Sequence, residues 1–458
     1  MNVTDIKGKN VTILGSQRSA MGAARLLRHF EANVLVSEFD ADKFDAEKRQ
    51  ILADIKAEFE FGYHSPDVLE SDFVVVSPGI PENADIVKKI RAAEIPLYSE
   101  IEMTSWFIEA PVIAVTGSNG KTTTVNLIHH LLKTAGYDSF LGGNVGVAAS
   151  EVLLASLSQS PENPIFVLEV SSFQLDNIDT FKPRVAAILN LTPDHLDRYA
   201  SLSAYYESKL GILRNLDENC TAVINRDDPE LSGHEFGGNT TRYFSVKSPL
   251  GGDAMLAEGI IGMMKDGEWN PILPAKALPL PGKHNLSNAL AAVGTVMDFI
   301  DDPEILAQGL MTFSAVPHRI EYVGKVRGIR CYNDSKATNI ASTEVAIQSF
   351  QQPLWLILGG KDKGGDFTTL IPQLEGSARE VLLVGAASDI IETQINPALT
   401  VRKLETIENA INYCLENADE GDVLLLSPAC ASFDQFENFE ARGDHFRTLV
   451  QSREGWSM

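Results

Sequence analysis

No C-x-x-C pair occurs in the sequence, and its four cysteines, Cys220, Cys331, Cys414 and Cys430, are scattered. That distribution argues against a disulfide frame or a zinc site and predicts reduced thiols in a cytoplasm. No apolar run approaches the ~20 residues needed to span a bilayer. The opening residues, MNVTDIKGKNVTILG, lack a basic stretch followed by an apolar core, so no signal peptide is expected. Positive charge is also scarce: 62 acidic residues stand against 38 Lys and Arg, a formal charge of −24. Such a surface repels nucleic acid and anionic membrane, so neither is expected as a partner. Any anionic substrate must then be held by local cations. What remains is a cytosolic globular chain, 44% hydrophobic and 22% charged. Its 458 residues are enough for about three domains.

The most specific chemistry lies in Val112 to Thr124, VIAVTGSNGKTTT. The apolar run Val112-Ile113-Ala114-Val115 has the composition of a buried parallel strand. It breaks at Thr116-Gly117-Ser118-Asn119-Gly120, then meets Lys121-Thr122-Thr123-Thr124 and a helical pattern reaching about Gly136. Strand, glycine loop and helix make phosphate-binding geometry, because the loop N–H groups and the helix N-terminus can face an anion. Gly117 and Gly120 allow the close approach; Lys121 would reach the outer phosphates, and the Thr122 hydroxyl could ligate Mg2+. The spacing G-x-x-G-K-T is two residues shorter than the common G-x-x-x-x-G-K-[ST]. A plain strand-to-helix turn with a surface lysine is the bland alternative. Apolar strand, paired glycines and Lys-Thr-Thr in register favour a nucleotide triphosphate.

Upstream, Asn10–Gly15, Val34–Val36 and Val74–Val76 read as strands, and Ser19–Phe30 as an amphipathic helix, which together predict a doubly wound sheet. Its first turn, GSQRSAMG, is not a dinucleotide fingerprint, so a dehydrogenase reading lacks its motif. Gln17, Arg18 and Ser19 stand where a phosphate could dock at a helix N-terminus, with an ordinary structural turn equally open. Pro96 and the SEIEMTSWF segment suggest a linker near residue 100.

Downstream of the phosphate loop, Gly142-Gly143-Asn144-Val145-Gly146 is a turn that opens another helix. The strand IFVLEV ends near Glu169, an acid placed to be the second anchor for Mg2+. A carboxylate beside a helix capped by Ser171 or Ser172 is the alternative. The strand VAAILN leads into a polar run with Asp194, His195 and Asp197, capable of binding metal at the ligand-facing edge. Lys209, in AYYESKLGIL, reads by composition and spacing as a surface lysine. Residues 221–282 are turn-rich with short strand candidates, and Asn285 and Asn288 then share a helix face or cap the helix.

Beyond Ala315 the pattern is again doubly wound, with strands at Leu354–Leu358, Val381–Val384 and Val423–Leu426 and polar clusters at the strand ends. The expectation is a three-domain α/β chain. A Rossmann-like domain would occupy residues 1–99, a central P-loop ATPase domain 100–315, and a second Rossmann-like domain 316–458.

The ordered motifs TGSNGKTT, GGNVG, LEVSSFQL, LNLTPDHLDRY, GKHNLSNALAA, HRIE, YNDSKATN, LGGKDKGGDF and SPACASFDQFENFEARGDHF cover nearly the whole chain. With them the sequence resembles the Mur ligases of peptidoglycan synthesis, in particular their D-glutamate-adding branch. Another amide ligase of the superfamily, such as a folylpolyglutamate synthase, is the alternative, and a nucleotide-driven switch is a second. The resemblance implies ATP-dependent amide formation through an acyl phosphate, with UDP-N-acetylmuramoyl-L-alanine and D-glutamate as substrates, in a cytoplasmic monomer. It implies that Gly117, Ser118, Asn119, Gly120, Lys121, Thr122, Thr123 and Thr124 hold the triphosphate, while Asn285, Asn288, Arg319 and Asp334 hold base and ribose. Thr122 and Glu169 would ligate one Mg2+ and His195 a second. Lys209 would be carbamylated by CO2, turning a cation into a carboxylate able to bind or position metal. Asn144, Ser171 and Gln174 would contact the UDP substrate, and Arg18 and Ser19, at the start of the first helix, are the candidates to meet its phosphates. Lys336, Thr338, Lys363, Ser432 and Phe439 would form the D-glutamate pocket.

Overall fold

The structure is a computed structural model describing residues 5–43, 45–144, 146–193, 198–233, 240–247, 252–280, 282–314, 317–362, 364–396 and 398–458. The chain forms two compact units. One comprises Met1–Ala277 and Ser287–Thr312, the other Leu278–Leu286 and Phe313–Met458. Among the described residues no helix is long and apolar enough to cross a membrane.

The first unit carries two sheets. The smaller is wholly parallel, in the spatial order Glu58–Phe61, Asn33–Glu38, Asn10–Leu14, Phe73–Val76, Leu97–Ser99. Phe73–Val76 is buried at every position, the unbroken apolar run that a strand covered on both faces requires. The larger sheet runs Glu268–Pro274, Ile260–Lys265, Ala254–Ala257, Thr240–Ser245, Thr221–Asn225, Val185–Ile188, Val112–Thr116, Pro164–Glu169, Asp138–Gly143. Its strands are parallel up to Ala254–Ala257 and antiparallel beyond. The reversal has a local cause. Glu258-Gly259 and Asp266-Gly267 all take positive φ, which makes tight two-residue hairpins. The turn-rich reading of 221–282 thus resolves into an edge of hairpins.

The segment expected as a linker near residue 100 is instead a buried helix, Glu100–Ser105. Glu102, fully buried, explains why it is held. Its carboxylate accepts from Trp106 Nε1 (2.8 Å), Thr180 N (2.9 Å), Thr180 Oγ1 (2.6 Å), Asp179 N (3.0 Å) and Phe181 N (2.7 Å). Helices Arg18–His29, Glu100–Ser105 and Ala149–Gln159 pack on one another, and Arg25 pairs with Glu151.

The second unit has one sheet, in the order Val401–Glu405, Ala378–Val384, Leu354–Gly359, Val423–Leu426, Ile329–Asn333, Glu321–Val326, Trp456–Ser457. Glu321–Val326 pairs antiparallel with both its neighbours, and the rest is parallel. At the carboxyl edge, Asp334 Oδ2 accepts from Ser427 Oγ (2.7 Å) and Oδ1 from Ile320 N (3.2 Å). Burial pushes the Asp334 carboxyl up to about 7, against the lowering effect of these bonds and of Arg319 and Arg442.

Two outcomes follow for stability. Glu102→Ala leaves five donors facing a void, and urea unfolding of the full chain should show a loss of roughly 3 kcal/mol or more. For Asp334 the folded value lies above the ordinary 3.8, so the native state binds the extra proton between 3.8 and about 7. The contribution of Asp334 therefore declines as pH rises through that window. The difference in denaturation midpoint between the wild type and Asp334→Asn should move in favour of Asp334→Asn as pH rises through that window.

Candidate active site

The phosphate loop is built where the sequence places it. Val112–Thr116 is buried at every residue, and Gly120 is the N-cap of the helix Lys121–Thr134. Gly120 has φ +87°, and a Cβ there would lie 2.3 Å from Asn288 Oδ1, so a side chain is excluded twice over. The loop is fastened to the end of the neighbouring strand Val185–Ile188. Ser118 N donates to Asn190 O (3.0 Å), Asn119 N to Asn190 Oδ1 (2.8 Å), and Asn190 Nδ2 to Asn119 O (3.0 Å). Ser118 Oγ donates to Thr192 O at 2.9 Å. Lys121 curls back over the loop, its Nζ donating to Gly117 O (2.7 Å) and Ser118 O (2.9 Å). Thr123 and Thr124 are buried in the helix.

Glu169 ends the adjacent strand and is 2% exposed. Its oxygens accept from two uncharged groups, Thr122 Oγ1 (2.7 Å) and Asn144 Nδ2 (3.0 Å). A buried carboxylate so arranged suits a hard cation, since hydroxyl and carboxylate oxygens are what Mg2+ takes alongside water and phosphate. Among the described residues there is no cluster of three or more His, Cys, Asp and Glu side chains fit to hold a metal. His195, with Asp194 and Asp197, lies outside the described residues.

Lys209 corrects the surface-lysine reading: it is 2% exposed. Its Nζ donates to Gly117 O (3.0 Å) and lies 4.7 Å from the centre of the Tyr205 ring. Spacing put it on a helix, Leu202–Leu210, but that helix packs toward the loop, and Tyr205 Oη sits 3.2 Å from Ser118 Oγ. Lys121 and Lys209 therefore converge on one carbonyl, that of Gly117, and concentrate positive charge in a chain that is acidic overall.

Asn144 is tied by its backbone as well, its N–H donating to Glu169 O at 2.8 Å. The preceding Gly143, at φ +113°, has room for nothing larger: a Cβ would lie 2.2 Å from Glu169 O. Arg18, the first residue of its helix, donates through Nη1 to Gly146 O (2.7 Å). Ser19 is half-buried beside it. Ser171 and Gln174 engage each other, with Ser171 N and Oγ both donating to Gln174 Oε1 at 3.0 Å. Ser171 does cap a helix, Ser172–Leu175, whereas Glu169 belongs to the strand before it.

Asn285 and Asn288 are both buried, on the helix Lys283–Val296. In the second unit, Arg319 is half-buried and Asp334 buried. Lys336 Nζ stands 5.7 Å from the centre of the Phe439 ring, Thr338 is half-buried, and Ser432 is buried in the loop after Val423–Leu426. Lys363 lies outside the described residues. Three residues that hold these loops were not singled out from sequence: Asn190, Tyr205 and Arg442. Arg442 is buried and donates to Ser335 Oγ (2.9 Å), Ser335 O (2.8 Å) and Cys430 O (3.1 Å), so one guanidinium joins the Lys336 loop to the Ser432 loop. Burial lowers it to about 10. Only its place in the motif EARGDHF hinted at this.

Comparison with known proteins agrees with this layout. The MurD N-terminal domain model matches residues 11–86, the Mur ligase middle domain model 115–296, and the Mur ligase glutamate ligase domain model 318–430. Among solved structures, MurF from Acinetobacter baumannii aligns with a TM-score of 0.61 at 17% identity, covering 95% of this chain and 93% of that one. MurC from Thermotoga maritima aligns at 0.59 and 19%, covering 97% and 100%. These identities speak for the fold alone: a three-domain α/β chain. The protein named UDP-N-acetylmuramoylalanine--D-glutamate ligase is 38% identical in Salinibacter ruber, over 99% of this chain and 100% of that one. Its namesake in Koribacter versatilis is also 38% identical, over 98% of each. Identity at that level from end to end, with three domain models matched in chain order, shows that the chain belongs to the Mur ligases, in the D-glutamate ligase branch.

Proposed function

We propose that this protein is the ATP-dependent ligase that joins D-glutamate to UDP-N-acetylmuramoyl-L-alanine in peptidoglycan precursor synthesis, acting as a monomer in the cytoplasm. The observation that carries the reading is the hydrogen-bonded chain Thr122–Glu169–Asn144, centred on the buried Glu169 at the foot of the Lys121 loop. The name shared by the full-length relatives favours D-glutamate over the folylpolyglutamate alternative. Residues 1–99 would hold the UDP substrate, 100–315 ATP, and 316–458 the amino acid.

The chemistry asks for local positive charge. A carboxylate is a poor acyl donor because its leaving group would be oxide. Its oxygen therefore attacks the γ-phosphorus of ATP, ADP departs, and an acyl phosphate results. The amine of D-glutamate then adds to the acyl carbonyl, and the collapsing tetrahedral intermediate expels phosphate. Lys121 and the first N–H groups of the helix Lys121–Thr134 hold the phosphates in line while charge builds on them. Thr122 and Glu169 would hold one Mg2+ and His195 a second; bound there, the ions offset phosphate charge. Lys209, carbamylated, would offer a carboxylate in place of a buried ammonium. Asn285, Asn288, Arg319 and Asp334 are assigned to base and ribose. Arg18, Ser19, Asn144, Ser171 and Gln174 go to the UDP substrate. Lys336, Thr338, Lys363, Ser432 and Phe439 are assigned to D-glutamate, whose extra carboxylate suits two lysines.

Phosphate release that requires both UDP-N-acetylmuramoyl-L-alanine and D-glutamate is the expected activity, and its absence would refute the reading. Lys121→Ala and Glu169→Ala should each lower that turnover by roughly 10²–10³-fold, the scale of removing one preorganised charge-stabilising group. Protein equilibrated with ¹³C-bicarbonate should show a carbamate carbonyl resonance that vanishes in Lys209→Arg. A spectrum identical in the two proteins would remove the carbamate from the mechanism.

A further inference from the structure

The turn that carries Asn144 runs into the helix Ala149–Gln159, which has no cap of its own. Ala148 stands at the N-cap position without a side-chain hydrogen bond. Another helix supplies the missing acceptor. Glu100 Oε1, from Glu100–Ser105, accepts from Ser150 N at 2.7 Å and from Ser150 Oγ at 2.6 Å. Both residues are buried, Glu100 at 2% exposure and Ser150 at 0%. On the far side Gly22 closes the space, since a Cβ there would lie 2.5 Å from Ser150 Oγ.

The other oxygen of Glu100, Oε2, is buried with no hydrogen-bond partner, as is the Thr104 hydroxyl one helical turn along. Burial pushes the Glu100 carboxyl up, and the two Ser150 bonds oppose this only in part. Glu100 is thus held through Oε1, by the two bonds from Ser150.

We propose that Glu100 is a positioning residue for the ligase reaction: it holds the start of the helix Ala149–Gln159, and through the turn before it keeps Asn144 against Glu169. Gly143 N donates to Val147 O and Asn144 N to Glu169 O, both at 2.8 Å. Movement of the helix start is therefore passed directly to the Asn144 side chain on Glu169. No atom of Glu100 touches that carboxylate; it acts at one remove, as groups behind a metal ligand do. The inference rests on reading Glu169 as a Mg2+ anchor.

The test uses the full-length protein with Glu100→Gln, Glu100→Ala and Ser150→Ala. Glu100→Gln keeps the acceptor for Ser150 and should behave as the wild type. Glu100→Ala should raise the Mg2+ concentration for half-maximal turnover on the order of 10-fold, the usual scale for a group that orients a metal ligand. The KM for the UDP substrate should rise with it, and the KM for D-glutamate should not. In the ligand-free protein, amide exchange across residues 142–153 should accelerate in Glu100→Ala and less so in Ser150→Ala, which keeps one of the two bonds. Unchanged Mg2+ dependence and exchange in Glu100→Ala would overturn the proposal. So would a uniform shift of every constant together with the melting temperature, or a Glu100→Gln variant as impaired as Glu100→Ala. If Glu100→Ala does not fold, Ser150→Ala decides by the same readouts. A wild type without D-glutamate-dependent turnover would instead defeat the functional reading, while exchange would still report whether Glu100 holds the helix.

Discussion

A single buried carboxylate organises the first unit. Glu169 sits at the end of a strand flanked by the phosphate-loop strand and by the strand that leads to Asn144. An anion in that position is tolerable only if its oxygens are satisfied, and Thr122 and Asn144 satisfy them from either side. Parallel pairing makes this possible, because three successive strand ends reach the same edge together. Gly143 is then forced to be glycine by the carbonyl of the same residue that its loop serves. The loop, the turn and the carboxylate are one object, and Lys121 and Lys209 both reach it through Gly117 O.

Buried ionisable groups hold loops elsewhere in the chain by the same logic. Glu102 gathers five donors and so fixes the 179–181 loop. In the second unit Arg442 joins two strand-end loops through three acceptors, and Asp334 ties the Ile320 backbone to Ser427. None of these groups lies on the surface. Each makes the position of a loop depend on a complete set of hydrogen bonds, which resists drift better than apolar contact would. A site that must hold phosphates and carboxylates in line needs loops of that kind.

How legible each part was depended on how local its cause is. The phosphate loop could be read directly, since strand, glycines and Lys-Thr lie within one stretch and the helix does begin at Lys121. The strands Phe73–Val76, Leu354–Gly359 and Val423–Leu426 were equally plain, being short apolar runs buried at every position, and Asn10–Leu14 is buried from Val11 on. Glu58–Phe61 and Leu97–Ser99 escaped notice because one alternates acid with phenylalanine and the other is three residues long. Asp138–Gly143 ends in two glycines and reads as a turn. Lys209 was misjudged for a different reason: helical spacing says which face a residue shares, and nothing about what that face meets.

The sequence by itself determined the fold class, the strand, glycine turn and helix around Lys121 and, through motifs in order along the chain, the family. Those depend on periodicity, on glycine where a Cβ would clash, and on residue types at fixed spacing, all of which are properties of short segments. Tertiary structure alone decided that Lys209 is buried beside Gly117, that Arg442 and Glu102 are struts, and that Glu100 caps a helix far from it in sequence. Burial of a charged side chain depends on which distant segments surround it. That is fixed only when the sheets have closed and every polar group has found its partner or gone without.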